Sequence, residues 1–495
     1  MLAPSGAGAA VQHLYIVHTN DMHGALMPAD AFWMNRNFPP PLANAPGALT
    51  VIRNLRAEAQ AKGYGFLLLD GGDVFKGTPL GDFTKGQVIT DYFRRAGYDA
   101  VAAGNHDFDL GWQVLRALVD STGLPWFATN LVVPGSDTTP SWLAPGRVFE
   151  RGGIRIGVFG LITKYLRGMV SDSLLGPLEV APYEARARQE IAELRRQGAD
   201  IIVALNHVGY SHDQRLADSM PGIDVIVGAH SHTGTRPPFE TPRYHTIVQQ
   251  AYSHLSTVGL LDLTIDTETR QVIGYRGTLI DLQGEAIAMD MGYLAWLDSA
   301  RATAEKGFDE VIGSSKRELT RGGQDETPAG DLITDAMRDY TGADIGVHNS
   351  AGIRANIPEG NITFRDIYQV DIFGNTVVVG MFTGAQVREM LEVSVNGHHA
   401  IFQLSGVKMT WTKKKPIGQR VLSASVGGQP LDPNRLYKVA TNSFLASGTG
   451  EYGVFTEGTD IEDTFMPLRD VIVRYIRTHS PLDVRVEGRI TSVDR

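Results

Sequence analysis

A chain of 495 residues is longer than one hydrophobic core usually organises, so two domains are expected. Its 43% hydrophobic and 20% charged residues suit a soluble globular protein, and a formal net charge of -10 argues against a nucleic-acid polymer as partner while leaving room for a local basic pocket. No apolar stretch approaches the roughly 20 residues of a membrane span, and the absence of cysteine excludes disulfides and thiolate metal ligands.

The N-terminal "MLAPSGAGAAVQ" has neither the basic start nor the long apolar run of a secretion signal, and its small residues are compatible with the remnant of a cleaved one. Next, "LYIVH" (14–18), "FLLLD" (66–70), "AVAAG" (100–104), "IRIGVFGLI" (154–162), "IIVALNH" (201–207) and "DVIVGAH" (224–230) read as buried strands. Between them, "LTVIRNLRAEAQAKG" and "YEARARQEIAELRRQG" have helical spacing and end in glycine. Strands alternating with helices predict an α/β fold, whose sites form at the C-terminal ends of strands. "VGLLDLTIDTETRQVIGYRGTLIDL" predicts strands that close this series. "GYLAWLDSARATAEKGFDEVIG" (292–313) then predicts a single helix without a strand partner, suited to join two domains. A second series begins near Ser314, with its clearest helix and strand in "PAGDLITDAMRDYTGADIGVHN". The expected division is 10–290, a connector over 291–313, and 314–495.

Polar groups gather at five strand ends. These are "TNDMHG" with Asp21 and His23, "DGGDVFKG" with Asp73, "GNHDFD" with Asn105 and His106, "LNHVG" with His207, and "GAHSH" with His230 and His232. Carboxylate, imidazole and amide oxygen suit borderline divalent ions such as Zn, Mn or Fe. Asp21, His23, Asp73, Asn105, His207, His230 and His232 are seven candidate ligands, more than one tetrahedral ion uses. A bridging carboxylate such as Asp73 would serve two ions, an arrangement suited to phosphoester hydrolysis. Several of these residues also have a structural reading, whereas the two histidines of "GAHSH" are hard to justify by packing. "GNHDFD" is a good turn with Asp109 as a helix cap and Asp107 serving the turn, "DGGDVFKG" a glycine turn, and His18 a core histidine. Five such motifs in one order favour the metal centre.

The ordered set resembles the metallophosphoesterase fold, and "NDMHG", "GGDVFKG", "GNHDFD" and "GAHSH" are similar to the 5′-nucleotidase family, which includes periplasmic UDP-sugar hydrolases and ecto-5′-nucleotidases. The likeness continues through "GDLITDAMRDYTGADIGVHNSAGIR", "FGN" and "FLASGTGEYG". The resemblance implies an N-terminal four-layer metallophosphoesterase β-sandwich flanked by helices, a connector helix, and a C-terminal α+β substrate-binding domain. It implies two divalent metal ions, Zn, Mn or similar. One would take Asp21, His23, Asp73 and His232, the other Asp73, Asn105, His207 and His230. His106 would stabilise charge on the phosphoryl group, with Asp109 as its partner.

In the second domain the resemblance implies a phosphate- or substrate-contacting arginine at Arg354, with Phe373 and Phe444 holding a nucleobase between them. Departures stand at "NSAG", where Ser350 and Ala351 add side chains, and at "GTGEY", where Gly450 replaces an aspartate and Glu451 follows; Arg321 is a further candidate basic residue. The implied activity is release of phosphate from nucleoside 5′-monophosphates or related nucleotides. The alternatives are 2′,3′-cyclic-nucleotide phosphodiesterase with 3′-nucleotidase activity, UDP-sugar hydrolysis, or nucleotide binding at a decayed site. The partner is a small-molecule nucleotide or related phosphoester, and the implied location is periplasmic or extracellular.

Overall fold

The computed structural model describes residues 11–31, 38–170 and 172–494, so residues 1–10, read above as compatible with the remnant of a cleaved signal, lie outside it. The chain forms two compact units, Met1–Ala304 and Glu305–Arg495.

The first unit contains two six-stranded sheets. In one, β1 (Val11–Thr19) is flanked by β2 (Gly65–Asp70), then β3 (Ala100–Ala102) and β4 (Trp126–Phe127), on one side. A long hairpin of β11 (Thr257–Asp266) and β12 (Val272–Asp281) lies on the other. In the second sheet the order is β9 (Phe239–Glu240), β10 (Ile247–Gln249), β8 (Val225–Val227), β7 (Ile201–Leu205), β6 (Ile154–Phe159), β5 (Arg147–Arg151). Side chains alternate across a strand, so β1 turns Leu14 and Ile16 one way and Tyr15 and Val17 the other. Leu14 and Ile16 join Leu67, Leu69, Ile156, Val158, Val203 and Val225 in a core between the sheets.

Tyr15, Val17 and Leu68 instead pack under α1 (Asn44–Lys62), α2 (Gln87–Ala96) and α3 (Trp112–Thr122). The second sheet is covered on its outer face by α4 (Tyr183–Arg196) and α5 (Tyr210–Ser219) through Ala187, Leu194, Leu216 and Ala217. The result is four layers, helix, sheet, sheet, helix. Strands β1, β2, β3, β7 and β8 all run parallel to a sheet neighbour, which brings their C-terminal ends, and the five polar motifs, to one side of each sheet.

The helix expected over 292–313 is shorter. It spans Met291–Ala304 as α6 and packs Tyr293 and Leu297 into the first unit's core. The chain then turns through Gly307 (φ 87°), and Val311–Ser315 forms β13, paired with β14 (Gly360–Thr363). Helical periodicity carried across "KGFDEVIG" overlooked the glycine and the β-branched pair after it, both of which favour strand.

The second unit has a mixed five-stranded sheet of order β17 (Phe402–Ser405), β15 (Ile345–Asn349), β18 (Leu436–Asn442), β16 (Thr376–Thr383), β19 (Thr459–Pro467). Helices α7 (Pro328–Thr341) and α9 (Leu468–His479) share one core with Val377 and Ala440. Helix α8 (Gly384–Ser394) packs on Ile345, Val347 and Val439 from the other face.

Candidate metal centre

Where β1 ends, the chain turns through Asn20, Asp21, Met22 and His23. Asp21 (φ 49°), His23 (48°), Asp73 (55°), His230 (79°) and His232 (52°) all hold left-handed backbone. Aspartate and histidine enter this region more readily than most residues, yet each position costs roughly 1 kcal/mol or more. Five of the seven candidate ligands are therefore strained, and neighbouring bonds hold them in place.

The loop after β1 is laced to the loop after β2. Asp21 N donates to Gly72 O, His23 N to Asp73 O and Gly24 N to Val74 O, each at 2.9 Å. Asn20 Nδ2 donates to Asp21 Oδ2 at 2.7 Å, and His230 N donates to both Asp21 oxygens at 3.1 and 3.0 Å. Asp107, expected only to shape its turn, collects three backbone donors: Asp73 N (3.0 Å), Val74 N (2.9 Å) and Gly104 N (2.8 Å). It thereby ties the loop after β2 to the loop after β3. Burial, with Asp73 beside it, pushes its carboxyl up to about 7. Gly104 is required here, because a Cβ would sit 2.1 Å from Asp73 Oδ1. Asp107→Ala strands three buried donors, so unfolding free energy should fall by about 3 kcal/mol in denaturant titration. A loss indistinguishable from that of a surface substitution would contradict the clamp.

The ligand atoms form two groups. Asp21, His23 and His232 offer atoms within 4.8 Å of one another, as do Asp73, His207 and His230. Asp73 Oδ2 stands between the groups, 3.8 Å from His23 Nε2 and 3.2 Å from His207 Nε2. Asn105 joins the second group through its Oδ1, 3.2 Å from His207 Nε2.

Tautomers follow from the partners. His207 Nδ1 faces the Gly71 carbonyl at 2.8 Å and His23 Nδ1 faces the Lys76 carbonyl at 2.9 Å. A carbonyl only accepts, so both Nδ1 atoms donate and both Nε2 atoms turn lone pairs into the site. The His207 lone pair then meets two acceptor oxygens, an arrangement that only a proton or a cation relieves. Burial opposes charge on His207, but Asp73 draws its titration up to about 10. Burial holds His23 well below its ordinary range, and burial together with His207 holds His230 at about 3, leaving both as neutral bases at physiological pH. Nitrogen and oxygen lone pairs converging without enough protons between them fit divalent cations.

Beside this set, His106 Nδ1 lies 2.8 Å from Asp109 Oδ2, and His106 N donates to Asp73 Oδ1 at 2.8 Å. Asp109 thus partners the imidazole directly. His18 is fully buried against Gln249 Oε1 at 3.0 Å, as a core histidine. His254 escaped the sequence reading. Its ring lies 5.2 Å from that of His23 and 5.7 Å from that of His232. It lies beyond the end of β10 at Gln249, a short strand that the apolar runs of the sequence did not pick out.

In the second unit Arg354 lies with its guanidinium 5.6 Å from the centre of the Phe373 ring. Phe444 is half-buried, 5.7 Å from Tyr452. Ser443 Oγ accepts from Thr376 N and donates to Asn375, tying the loop after Phe373 to the turn that carries Phe444. Ser350 points its hydroxyl at Ile401 O and Gln403 Nε2, into the sheet. Glu451 is engaged by Asn396 Nδ2 and His398 Nδ1, both at 2.6 Å. Arg321 lines a cavity of about 400 Å³ with Gly322, Gly323, Ser350, Ala351 and Asn356. A larger cavity of about 740 Å³, walled by Arg195, Asp224, Glu240 and Arg270 of the first unit, contains none of the candidate ligands.

Two family descriptions match the chain: calcineurin-like phosphoesterase over residues 14–234, and 5′-nucleotidase, C-terminal domain, over residues 302–457. A 5′-nucleotidase of Diplobatis ommata is 30% identical over 536 residues, spanning 98% of this chain and 91% of that protein. Protein UshA of Yersinia enterocolitica is 28% identical over 520 residues, spanning 94% and 91%. Among solved structures, a 5′-nucleotidase precursor from Thermus thermophilus superposes with a TM-score of 0.87 at 28% identity, covering 98% of this chain and all of that one.

Proposed function

This chain belongs to the 5′-nucleotidase family, and on that footing we propose that it releases phosphate from nucleoside 5′-monophosphates or related nucleotides with the help of two divalent ions. The observation that carries the reading is Asp73 Oδ2, within 4 Å of a histidine from each ligand group. We assign Asp21, His23, Asp73 and His232 to one ion and Asp73, Asn105, His207 and His230 to the other, with Zn, Mn or a similar metal in both. When bound, such ions supply the positive charge that clamps phosphoryl oxygens and acidifies a water for in-line attack.

The chain's own groups do the rest. Asp109 keeps the His106 imidazole oriented, holds a proton on Nδ1 and favours the charged form, which places His106 to offset charge developing on the phosphoryl group. Arg354 is assigned to the substrate's anionic oxygens, which an arginine fork matches. Phe373 and Phe444 are assigned to the faces of the base. An exported protein, periplasmic or extracellular, suits this activity, and among the described residues no helix is long and apolar enough to cross a membrane.

Exhaustive chelation is expected to abolish turnover of AMP, with recovery on adding Mn or Zn; full activity in protein shown by elemental analysis to be metal-free sinks the proposal. Because Glu451 is already held by Asn396 and His398, contacts beyond the phosphate are open to variation. A panel of nucleoside monophosphates, 2′,3′-cyclic nucleotides and UDP-sugars on metal-loaded protein separates the nucleotidase reading from its two hydrolase alternatives.

A further inference from the structure

Phe465 lies near the end of β19, the edge strand of the second unit's sheet, in left-handed backbone (φ 55°) and 82% exposed. Both features cost free energy. The conformation suits glycine and disfavours an aromatic residue, and an exposed phenyl ring gains none of the burial that normally keeps phenylalanine in a fold. Strain held in place by its surroundings points to a use. Here the surroundings are specific. The ladder between β16 and β19 slips between Thr376 and Val378, opposite Pro467 and Asp463, so that residues 464–466 bulge from it. Asp463 accepts from Thr376 Oγ1 at 2.7 Å and from Phe465 N at 2.8 Å, while Leu468 N donates to Asn375 O at 2.7 Å.

Sheet topology identifies the end on which Phe465 stands. Strands β15 and β18 run parallel, β16 runs against β18, and β19 runs against β16. The C-terminal ends of β15, β18 and β19 therefore share one end of the sheet with the start of β16. Arg354 follows β15, Phe444 follows β18 and Phe373 precedes β16. Phe465 is the fourth residue brought to that end, two positions before the Pro467 that pairs with Thr376.

We propose that Phe465 is a third aromatic contact for the substrate's nucleobase, beside Phe373 and Phe444, and so a specificity-determining residue. The inference rests on the nucleotide reading above. With the two faces of the base assigned to Phe373 and Phe444, Phe465 meets its edge, an edge-to-face contact that any flat heteroaromatic base offers, whereas a sugar phosphate without a base offers no such contact.

Phe465→Gly tests this, since glycine removes the ring and relaxes the backbone. KM for AMP and for UMP should rise about 2- to 10-fold, the range of one edge-to-face aromatic contact, with kcat little changed. The affinity for ribose 5-phosphate, measured as a competing ligand, should stay as in the wild type. The melting temperature should hold or increase. Phe465→Trp should restore KM. An unchanged KM for AMP in folded Phe465→Gly overturns the inference, as does an equal loss of affinity for ribose 5-phosphate, which would mark a general disturbance of the loop. If the wild-type protein hydrolyses other phosphoesters and no nucleotide, the nucleotide reading falls and this inference falls with it.

Discussion

Asp73→Ala is expected to strip both metal ions and to lower kcat/KM by at least about a thousandfold, well beyond the loss from removing a ligand of one ion only. The carboxylate touches both groups, with Oδ2 3.8 Å from His23 Nε2 and 3.2 Å from His207 Nε2, while Oδ1 holds the backbone of His106. On the proposed assignment, its loss removes the ligand shared by both ions and loosens His106 together. His232→Ala, by contrast, touches only the group of Asp21 and His23, so it should leave about one equivalent of metal bound. Elemental analysis beside steady-state kinetics decides the matter. Full occupancy and normal turnover in Asp73→Ala would falsify the shared-ligand assignment.

The second large effect belongs to His106. His106→Ala should reduce kcat by roughly 100- to 1000-fold, the scale of losing one preorganised group that stabilises transition-state charge, with metal content nearly intact. Asp109→Asn should lose part of the same activity, since an amide orients the ring without favouring its charged form. If His106→Ala instead emerges depleted of metal, His106 is a ligand and the division of roles is wrong.

Much of the first unit is legible in the sequence because its strands are apolar runs that stop abruptly at polar residues. "FLLLD" ends in Asp70 and the strand in the structure ends there too. "IIVALNH" gives a strand to Leu205 with His207 just beyond it. Packing geometry is less legible. Nothing in "GNHDFD" distinguishes Asp107 as the residue that clamps two loops, since its three donors come from Asp73, Val74 and Gly104 across a turn that only the folded chain forms. Backbone strain is equally silent, because Asp21 and His230 look like ordinary loop residues until neighbouring bonds force them left-handed. In the second unit Ser350 looks like an intrusion beside a ligand, yet its hydroxyl satisfies Ile401 O inside the sheet. Phe465 carries no sequence signal of its own, being one more aromatic residue in an edge strand.

The candidate ligands come from strand ends of both sheets of the first unit, and this governs when the proposed centre can exist during synthesis. His230 N and the Asp21 carboxylate meet across 209 positions of chain, so a ribosome must extend the polypeptide past β8 of the second sheet before the first group can close. At typical elongation rates of about 5–20 residues per second, Asp21 and His23 wait on the order of ten seconds or longer for their distant partner. Closing a loop of that span carries an entropic cost, and packing of the apolar strands between the two sheets is what offsets it, so metal capture is expected to follow docking of the two sheets. A nascent chain halted before His230 would carry five of the seven candidate ligands and lack His230 and His232, which makes tight ion uptake a readout of completed tertiary assembly.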